Sequence, residues 1–256
     1  MVPGVMARCH LPSALAELGE FVEALALGQE AMRIALTAND PASEIFARMG
    51  LGRTHLRQGD HVQAVRTIEP AVALCRSLDN RFLLSYVNGE LGAAFLGNDR
   101  PAEAVALLEQ AIDGATTMRI ASFRAQSICL LAEAYLDQGR VDEALKLAQQ
   151  ALALARANGE SDREAWCLKV LGDVQAHELA TAEHAGDAYR QALALGTELG
   201  LRPLVAHCNF VLAKLHARAG LEQVSNEHLA TAMTMYREMD MRSWLQHAEI
   251  EMRRNK

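Results

Sequence analysis

Residues 130–155 read LLAEAYLDQGRVDEALKLAQQALALA, and this stretch decides the fold. Two amphipathic helical patterns flank a turn at residues 137–140, DQGR. The apolar residues of the second pattern follow the i, i+3, i+4, i+7 spacing of one helix face, at Val141, Ala144, Leu145, Ala148 and Ala151. Small side chains on this face let two antiparallel helices approach closely. Such a hairpin leaves its outer apolar face open, so it must stack on further copies of itself.

Copies of this hairpin recur at intervals of 40 or 41 residues. The early small residue of each second helix falls at Ala24, Ala64, Ala104, Ala144, Ala185 and Ser225. A later small residue falls at Ala31, Ala71, Ala111, Ala151, Ala192 and Ala232. The turn residue falls at Gly19, Gly59, Asp99, Gly139 and Gly220. Three sets of positions that repeat together indicate a tandem array of helix pairs.

We therefore predict an all-α solenoid of six antiparallel helix pairs, with a period of about 40 residues and a C-terminal capping helix. It forms a single domain over residues 1–256. The pairs are predicted at about residues 1–38, 41–78, 80–117, 118–157, 161–198 and 202–238, and the capping helix at 241–253. Among the helix-end signals are a predicted capping box formed by Ser161 with Glu164 and a helix stop at Asn158-Gly159.

Three departures interrupt the pattern. Pro12 lies where the first helix should carry a small packing residue, so we expect that helix to be short or broken and the chain to begin partway into a larger array. Pro70 lies inside a second helix, where it predicts a kink. The fifth pair has Leu179-Ala180 where the turn glycine should be.

The bulk composition favours a helical protein of the cytoplasm. Half of the residues are hydrophobic and only 5% are aromatic, while the net charge of −7 argues against nucleic-acid binding. The five cysteines are scattered, without a C-x-x-C pair, and indicate reduced thiols. No uncharged apolar run reaches the roughly 18 residues that a membrane span needs, and the N-terminus lacks the apolar core of a signal peptide.

The helix pairs resemble the tetratricopeptide repeat. That repeat has Leu-Gly/Ala-x-x-Tyr in its first helix, as in Leu91-Gly92…Phe95 and Leu131-Ala132…Tyr135 here. The unit is longer than the usual 34 or so residues and lacks the usual terminal proline, which longer helices explain. The resemblance implies a right-handed superhelix whose first helices line a concave groove.

A narrower resemblance covers nearly the whole chain. Residues 15–35, 192–210 and 227–252 are similar to the C-terminal repeats of large bacterial signalling ATPases of the adenylate/guanylate cyclase–AAA ATPase type. This resemblance implies a regulatory or sensing module, with upstream ATPase or cyclase domains as possible partners. It implies neither activity for this chain, which carries no such module.

The motifs of catalysis and cofactor binding are not found in the sequence. It contains no G-x-x-x-x-G-K-[ST], H-E-x-x-H or G-x-S-x-G. His177, Glu178, Glu183 and His184 gather four potential metal ligands, but on a turn they point in several directions. We therefore expect no catalytic residue, no metal site and no cofactor.

The remaining functional signal lies on the face of the first helices opposite the small residues. The candidate binding residues on this face are Phe46, Arg53, Tyr86, Gln126, Glu133, Trp166, Lys169, Asp173, His207, Phe210 and Lys214. Mixed charges and aromatic rings are typical of a peptide-binding groove. Alternatively, the aromatic residues only pack between neighbouring helices. The basic clamp by which some tetratricopeptide repeats hold acidic chaperone tails is not expected, because only Lys169 fits and Asp173 neutralises it.

These observations predict a non-catalytic scaffold that binds a protein or peptide in its groove. The alternative is a module for self-association, through the exposed end of the first pair, or for small-molecule sensing. A Met-rich segment at residues 233–241 is either an adaptable binding surface or the filling between the last pair and the capping helix.

Overall fold

The structure is a computed structural model that describes residues 3–120, 123–177 and 182–254. Over these residues the chain forms thirteen helices and no strand. In chain order they are α1 (Pro3–Glu17), α2 (Phe21–Thr37), α3 (Pro41–Gln58), α4 (His61–Ser77), α5 (Arg81–Gly97), α6 (Pro101–Thr117), α7 (Arg124–Asp137), α8 (Val141–Asn158), α9 (Ser161–Ala176), α10 (Ala182–Glu198), α11 (Arg202–Arg218), α12 (Glu222–Glu238) and α13 (Arg242–Arg254).

The helices pack as consecutive antiparallel pairs in a right-handed superhelix. Each odd-numbered helix from α1 to α11 packs on the even-numbered helix that follows it, and α13 packs on α12. Each odd-numbered helix up to α11 also contacts its neighbours of odd number, so α1, α3, α5, α7, α9 and α11 form a continuous inner layer. The predicted all-α solenoid with its capping helix is therefore confirmed.

The small residues that defined the repeat are the contact points between helices. All twelve are fully buried: Ala24, Ala31, Ala64, Ala71, Ala104, Ala111, Ala144, Ala151, Ala185, Ala192, Ser225 and Ala232. A larger side chain at any of them would hold the helices apart or force its neighbours off their rotamers.

Left-handed backbone conformations end the helices at regular intervals. Residues with φ between +48° and +88° occupy the described turns, at Gly19, Asn39, Gly59, Asp79, Asp99, Arg119, Gly139, Gly159, Gly200, Gly220 and Asp240. This conformation lets the amide of the next residue return to the preceding helix, as Glu20 N does to Leu15 O at 2.9 Å. The predicted stop at Asn158-Gly159 is confirmed. The turn of the fifth pair lies at residues 178–181, outside the described residues.

The prolines do not interrupt their helices. Helix α1 runs for 15 residues with Pro12 inside it, so the prediction of a short or broken first helix was wrong. Pro12 is itself buried. Helix α4 likewise continues from His61 to Ser77 through Pro70, whose side chain is exposed.

One predicted helix start and one predicted capping box are corrected. Helix α7 begins at Arg124 rather than at residue 118, because Met118 caps α6 and Arg119 turns the chain with φ of 54°. The capping residue of α9 is Glu160, so Ser161 is already helical and does not form the predicted capping box. The carboxylate of Glu164 instead accepts a hydrogen bond of 2.7 Å from Arg156 Nε.

The two ends of the array meet. Ala16 and Phe21 of the first pair share a buried cluster with Tyr236, Met239 and Met241 of the last pair and its connection to α13. The amide of Gln58 reaches the carbonyl of Asp240 at 3.5 Å. The superhelix therefore closes on itself, and the Met-rich segment packs against the first pair as well as the capping helix.

None of the described helices combines the length and apolar character needed to cross a membrane.

Candidate functional site

The inner helices enclose a central cavity of about 710 Å³. Helices α3, α5, α7, α9 and α11 supply most of its wall, and α4, α10 and α13 supply the rest. Eight of the eleven candidate residues line this cavity: Gln126, Glu133, Trp166, Lys169, Asp173, His207, Phe210 and Lys214. The structure thus brings most of the candidate residues together on one surface.

The other three candidates lie outside the cavity wall. Phe46 packs beside the ring of His10 at 6.4 Å and belongs to the core between the first two pairs. Tyr86 packs on Phe123 at 5.7 Å. Phe46 and Tyr86 thus pack between helices, which is the alternative to ligand binding that the sequence left open. Arg53 instead makes hydrogen bonds to residues of the cavity wall.

Arg53 links three inner helices. Its Nε donates to Glu90 Oε1 at 2.7 Å, and its Nη2 donates to Gln126 Oε1 at 3.3 Å. Gln126 in turn donates to the same Glu90 oxygen at 3.3 Å. The side chain of Glu90 is only 4% exposed, and Arg53 supplies the opposite charge that offsets the cost of burying its carboxylate. One residue each from α3, α5 and α7 is therefore fixed in place.

Lys169 is the centre of a second network on α7, α9 and α10. Its Nζ lies 2.6 Å from Asp173 Oδ2 and 3.4 Å from Glu133 Oε1. Burial lowers the pKa of Lys169, but the carboxylates of Asp173 and Glu133 outweigh it and hold that pKa above its ordinary value. Burial raises the pKa of Glu133, and Lys169 offsets part of that rise. Tyr189 donates to Asp173 Oδ1 at 2.9 Å and completes the network.

Aromatic rings cover the part of the wall made by α9, α11 and α13. His207 lies 4.4 Å from the ring of Trp244 and 5.9 Å from that of Trp166, and its Nδ1 shares a hydrogen bond of 2.8 Å with the hydroxyl of Tyr236. Burial lowers the pKa of His207 well below its ordinary value of 6.5, and the positive charges of Lys169 and Arg57 act in the same direction. The imidazole is therefore neutral at pH 7.

A third set of contacts crosses from the first pairs to the fifth. The carboxylate of Glu17 in α1 accepts a hydrogen bond of 2.6 Å from Arg57 Nε in α3 and one of 3.3 Å from the indole Nε1 of Trp166 in α9. The guanidinium carbon of Arg57 lies 4.3 Å from the centroid of the Trp166 ring, a cation–π contact. Glu17 therefore joins repeats that are far apart in sequence.

Several wall residues were missed from the candidate set. Arg57 lies one helical turn beyond Arg53 on the same face, so the spacing i, i+4 would have found it. Tyr189, Trp244 and His247 come from helices that were not expected to reach the groove. The positions of Trp244 and His247 depend on the closure of the superhelix, for which the sequence carries no local signal, whereas Tyr189 reaches the wall within the fifth pair, where it bonds Asp173.

Within the described residues, no group of three or more His, Cys, Asp or Glu side chains is arranged to hold a metal ion. Of the four potential ligands near the fifth turn, Glu178 lies outside the described residues. Four cysteines, Cys75, Cys129, Cys167 and Cys208, are free thiols buried in the described core.

Solved structures with similar folds include two complexes of Rap proteins. A Rap protein complexed with competence and sporulation factor matches with a TM-score of 0.71 at 14% identity, over 96% of this chain and 80% of that chain. The Rap conjugation gene regulator of the plasmid pLS20, in complex with the Phr* peptide, matches with a TM-score of 0.69 at 18% identity, over 84% of this chain and 59% of that chain. At these identities the likeness shows the fold.

A signal transduction ATPase with numerous domains, which has a tetratricopeptide repeat sensor and comes from Pyrococcus horikoshii, has a TM-score of 0.63 at 17% identity. The match covers 90% of this chain and 35% of that chain. No curated protein matches the sequence. The family model of the tetratricopeptide repeat matches residues 43–117 and 123–198, which is more than half of the chain. The chain therefore belongs to the tetratricopeptide repeat family.

Proposed function

We propose that this chain is a non-catalytic scaffold that binds a peptide or an extended protein segment in its central cavity. The observation that carries the proposal is the convergence of five inner helices on one cavity with both charges and aromatic rings in its wall. Gln126, Glu133, Trp166 and Lys169 line this space and are partly exposed, so they can contact a ligand. A volume of about 710 Å³ lies within the roughly 300–1,000 Å³ of small-ligand sites and suits a short peptide.

The wall is preorganised for such a ligand. Both networks hold their side chains by charged hydrogen bonds, so little side-chain freedom remains to be lost on binding. Trp166 and Phe210 offer aromatic surface as anchors for apolar side chains, in the manner of interface hot spots. Fixed charges then select among ligands by their own charge pattern.

We further propose that the chain acts as a regulatory or sensing module of a larger cytoplasmic bacterial signalling ATPase or cyclase. Two observations support this role. The sequence resembles the C-terminal repeats of such proteins, and the fold is similar to part of a signal transduction ATPase that has a tetratricopeptide repeat sensor. Ligand binding in the cavity would then be relayed to an upstream domain.

A pull-down from bacterial lysate tests the binding function. We expect Trp166→Ala and Lys169→Glu to reduce partner recovery at least severalfold, because one removes an anchor and the other reverses a central charge. Val22→Ala, at a residue 85% exposed outside the cavity, is the matched control and should retain the partner. Equal recovery with all variants, each shown to be folded by circular dichroism, would contradict binding in the cavity.

Self-association through the first pair is less well supported by the structure. Ala16 and Phe21 of that pair are buried against the C-terminal helices, so part of the surface it requires is already covered. Light scattering across a concentration series tests this alternative, which predicts a mass that rises with concentration.

A further inference from the structure

We propose that Arg57 and Trp166 form a carboxylate-binding subsite of the central cavity, that Glu17 fills it in the absence of ligand, and that an acidic peptide displaces Glu17. This inference rests on the proposed function and names the chemical class of its ligand. It also gives Glu17 a regulatory role as a built-in competitor.

The contacts of Glu17 show that the subsite fits a carboxylate. One oxygen accepts from a charged donor, Arg57 Nε at 2.6 Å, and the other accepts from a neutral donor, Trp166 Nε1 at 3.3 Å. The guanidinium rests on the indole ring, so the two donors are held side by side before any ligand arrives. Arg57 and Trp166 both line the cavity, whereas Glu17 is not part of its wall.

Donor groups facing the cavity remain available. Within the described part of the chain, neither Nη atom of Arg57 takes part in a hydrogen bond. Lys214, which also lines the cavity, rests its ammonium 5.6 Å from the Phe210 ring and has no acidic partner among the described residues. Lys214 can therefore accept negative charge without breaking an ion pair, and Arg57 can do so by exchanging Glu17 for the ligand.

The acidic residues of the wall have much less free hydrogen-bonding capacity than the basic ones. Glu90 is held by Arg53, and Glu133 and Asp173 are held by Lys169. Asp137 is the exception, since it has no ion pair among the described residues, and burial raises its pKa. The unused hydrogen-bonding capacity of the cavity is thus mainly cationic, which favours an anionic ligand over a cationic one.

Exchange of Glu17 for a ligand carboxylate is energetically feasible. The side chains of Glu17 and Arg57 are 26% and 28% exposed, so water screens their attraction. Glu17 lies at the last residue of α1, next to the exposed Leu18 and Glu20, and its carboxylate can be hydrated after release. A ligand carboxylate gains the same donors and can add bonds to the free Nη groups.

The first test is a selection from a pool of peptides of about five residues, about 17 Å long when extended, randomised at every position. Peptides retained by the purified chain are identified by mass spectrometry. We expect Asp and Glu to be enriched among them. Retention of peptides enriched in Lys and Arg, or without charge preference, would overturn the carboxylate subsite but leave the binding function intact. Retention of no peptide would overturn both.

The second test measures the affinity of the most enriched peptide by calorimetry. We expect Arg57→Gln and Lys214→Gln each to weaken binding about tenfold, the size of one charged hydrogen bond, and Glu17→Gln to strengthen it about threefold to tenfold. Glu23→Gln, which makes the same change of charge at an exposed position of α2, is the matched control and should leave the affinity unchanged.

Each variant tests one part of the proposal. Unchanged affinity in both Arg57→Gln and Lys214→Gln would overturn the subsite. Unchanged or weaker affinity in Glu17→Gln would overturn the role of Glu17 as competitor. Because Lys214 makes no hydrogen bond to the described residues, its variant should fold even if Arg57→Gln does not.

Discussion

Gly59, at the turn after α3, lies directly against the indole of Trp244 in α13. A Cβ atom added to Gly59 would come within 2.7 Å of Trp244 Cδ1 and Nε1. The contact joins the second helix pair to the capping helix, across most of the length of the chain. It requires a glycine for two reasons, the close approach and a φ of +88°.

We predict that Gly59→Ala lowers the free energy of unfolding by about 2 to 4 kcal/mol. Left-handed backbone costs an L-residue about 1 kcal/mol, and the overlap with Trp244 adds about 1 to 3 kcal/mol. Urea unfolding monitored by circular dichroism measures the change. Gly139→Ala is the matched control, because Gly139 has φ of +74° and nothing within 4 Å of an added Cβ. If both variants lose the same free energy, the close packing of Gly59 on Trp244 is not present in solution.

Lys169→Met is predicted to destabilise the chain by about 2 kcal/mol. The substitution keeps most of the side-chain volume but leaves Glu133 and Asp173 without their cation in a largely buried site. Thermal and chemical unfolding measure the loss. The control is Arg190→Met, which breaks an ion pair with Asp187 whose side chains are 57% and 59% exposed and should cost less than about 0.5 kcal/mol. Equal effects in the two variants would show that the Lys169 network is fully hydrated.

His207 should make the folded chain less stable in acid. Its pKa is lower in the folded state than the ordinary 6.5, so the unfolded chain binds the proton first as the pH falls. Stability should therefore be lost below about pH 6.5, by up to about 1.4 kcal/mol per pH unit. In His207→Gln this contribution is absent.

The measurement is the difference in unfolding free energy between wild type and His207→Gln, from about pH 7 to about pH 5. We expect this difference in unfolding free energy to decrease by about 1 to 2 kcal/mol as the pH falls over this interval. Carboxylates such as Glu133 titrate in both proteins, so their contribution cancels in the difference. His247→Gln, which makes the same substitution at an exposed residue of α13, is the control variant for this measurement. Parallel curves for wild type and His207→Gln would contradict a neutral, buried imidazole.

The buried thiols are predicted to resist alkylation in the folded chain. Burial raises the pKa of Cys75 to about 11 and that of Cys208 to about 12, and only the thiolate reacts. For Cys129, a hydrogen bond with Cys167 and burial both raise the pKa. Treatment with iodoacetamide at about pH 8, followed by mass spectrometry, should label these residues only after denaturation. Rapid labelling without denaturant would show that the helices around them open readily.

Local sequence periodicity was sufficient to predict the helix pairs and eight of the residues that line the cavity. Ala64, Ala104 and Ala144 recur because each pair makes the same contact with the next, so one unit describes the others. Once the small face was known, the opposite face followed from helix geometry, and it contained Trp166 and Lys169. These are nearest-neighbour relationships, which a repeat expresses directly in its sequence.

The closure of the superhelix could not be predicted in this way. It depends on the small rotation between successive pairs, summed over the whole array, and no single residue encodes that sum. The contacts it creates, such as that of Glu17 with Trp166, join residues 149 positions apart. The start of α7 was missed for a local reason, because nothing in the sequence marks Arg119 as the residue that takes the left-handed conformation after α6.

Contact between the first and last helix pairs also affects how the chain unfolds. In an open array of repeats, each pair is held only by its neighbours, so the terminal pairs fray first and unfolding spreads inward. Here Phe21 shares one buried cluster with Tyr236 and Met239, so each terminal pair has a second neighbour. Opening either end exposes apolar surface on both. The two terminal pairs should therefore lose their structure together rather than one before the other.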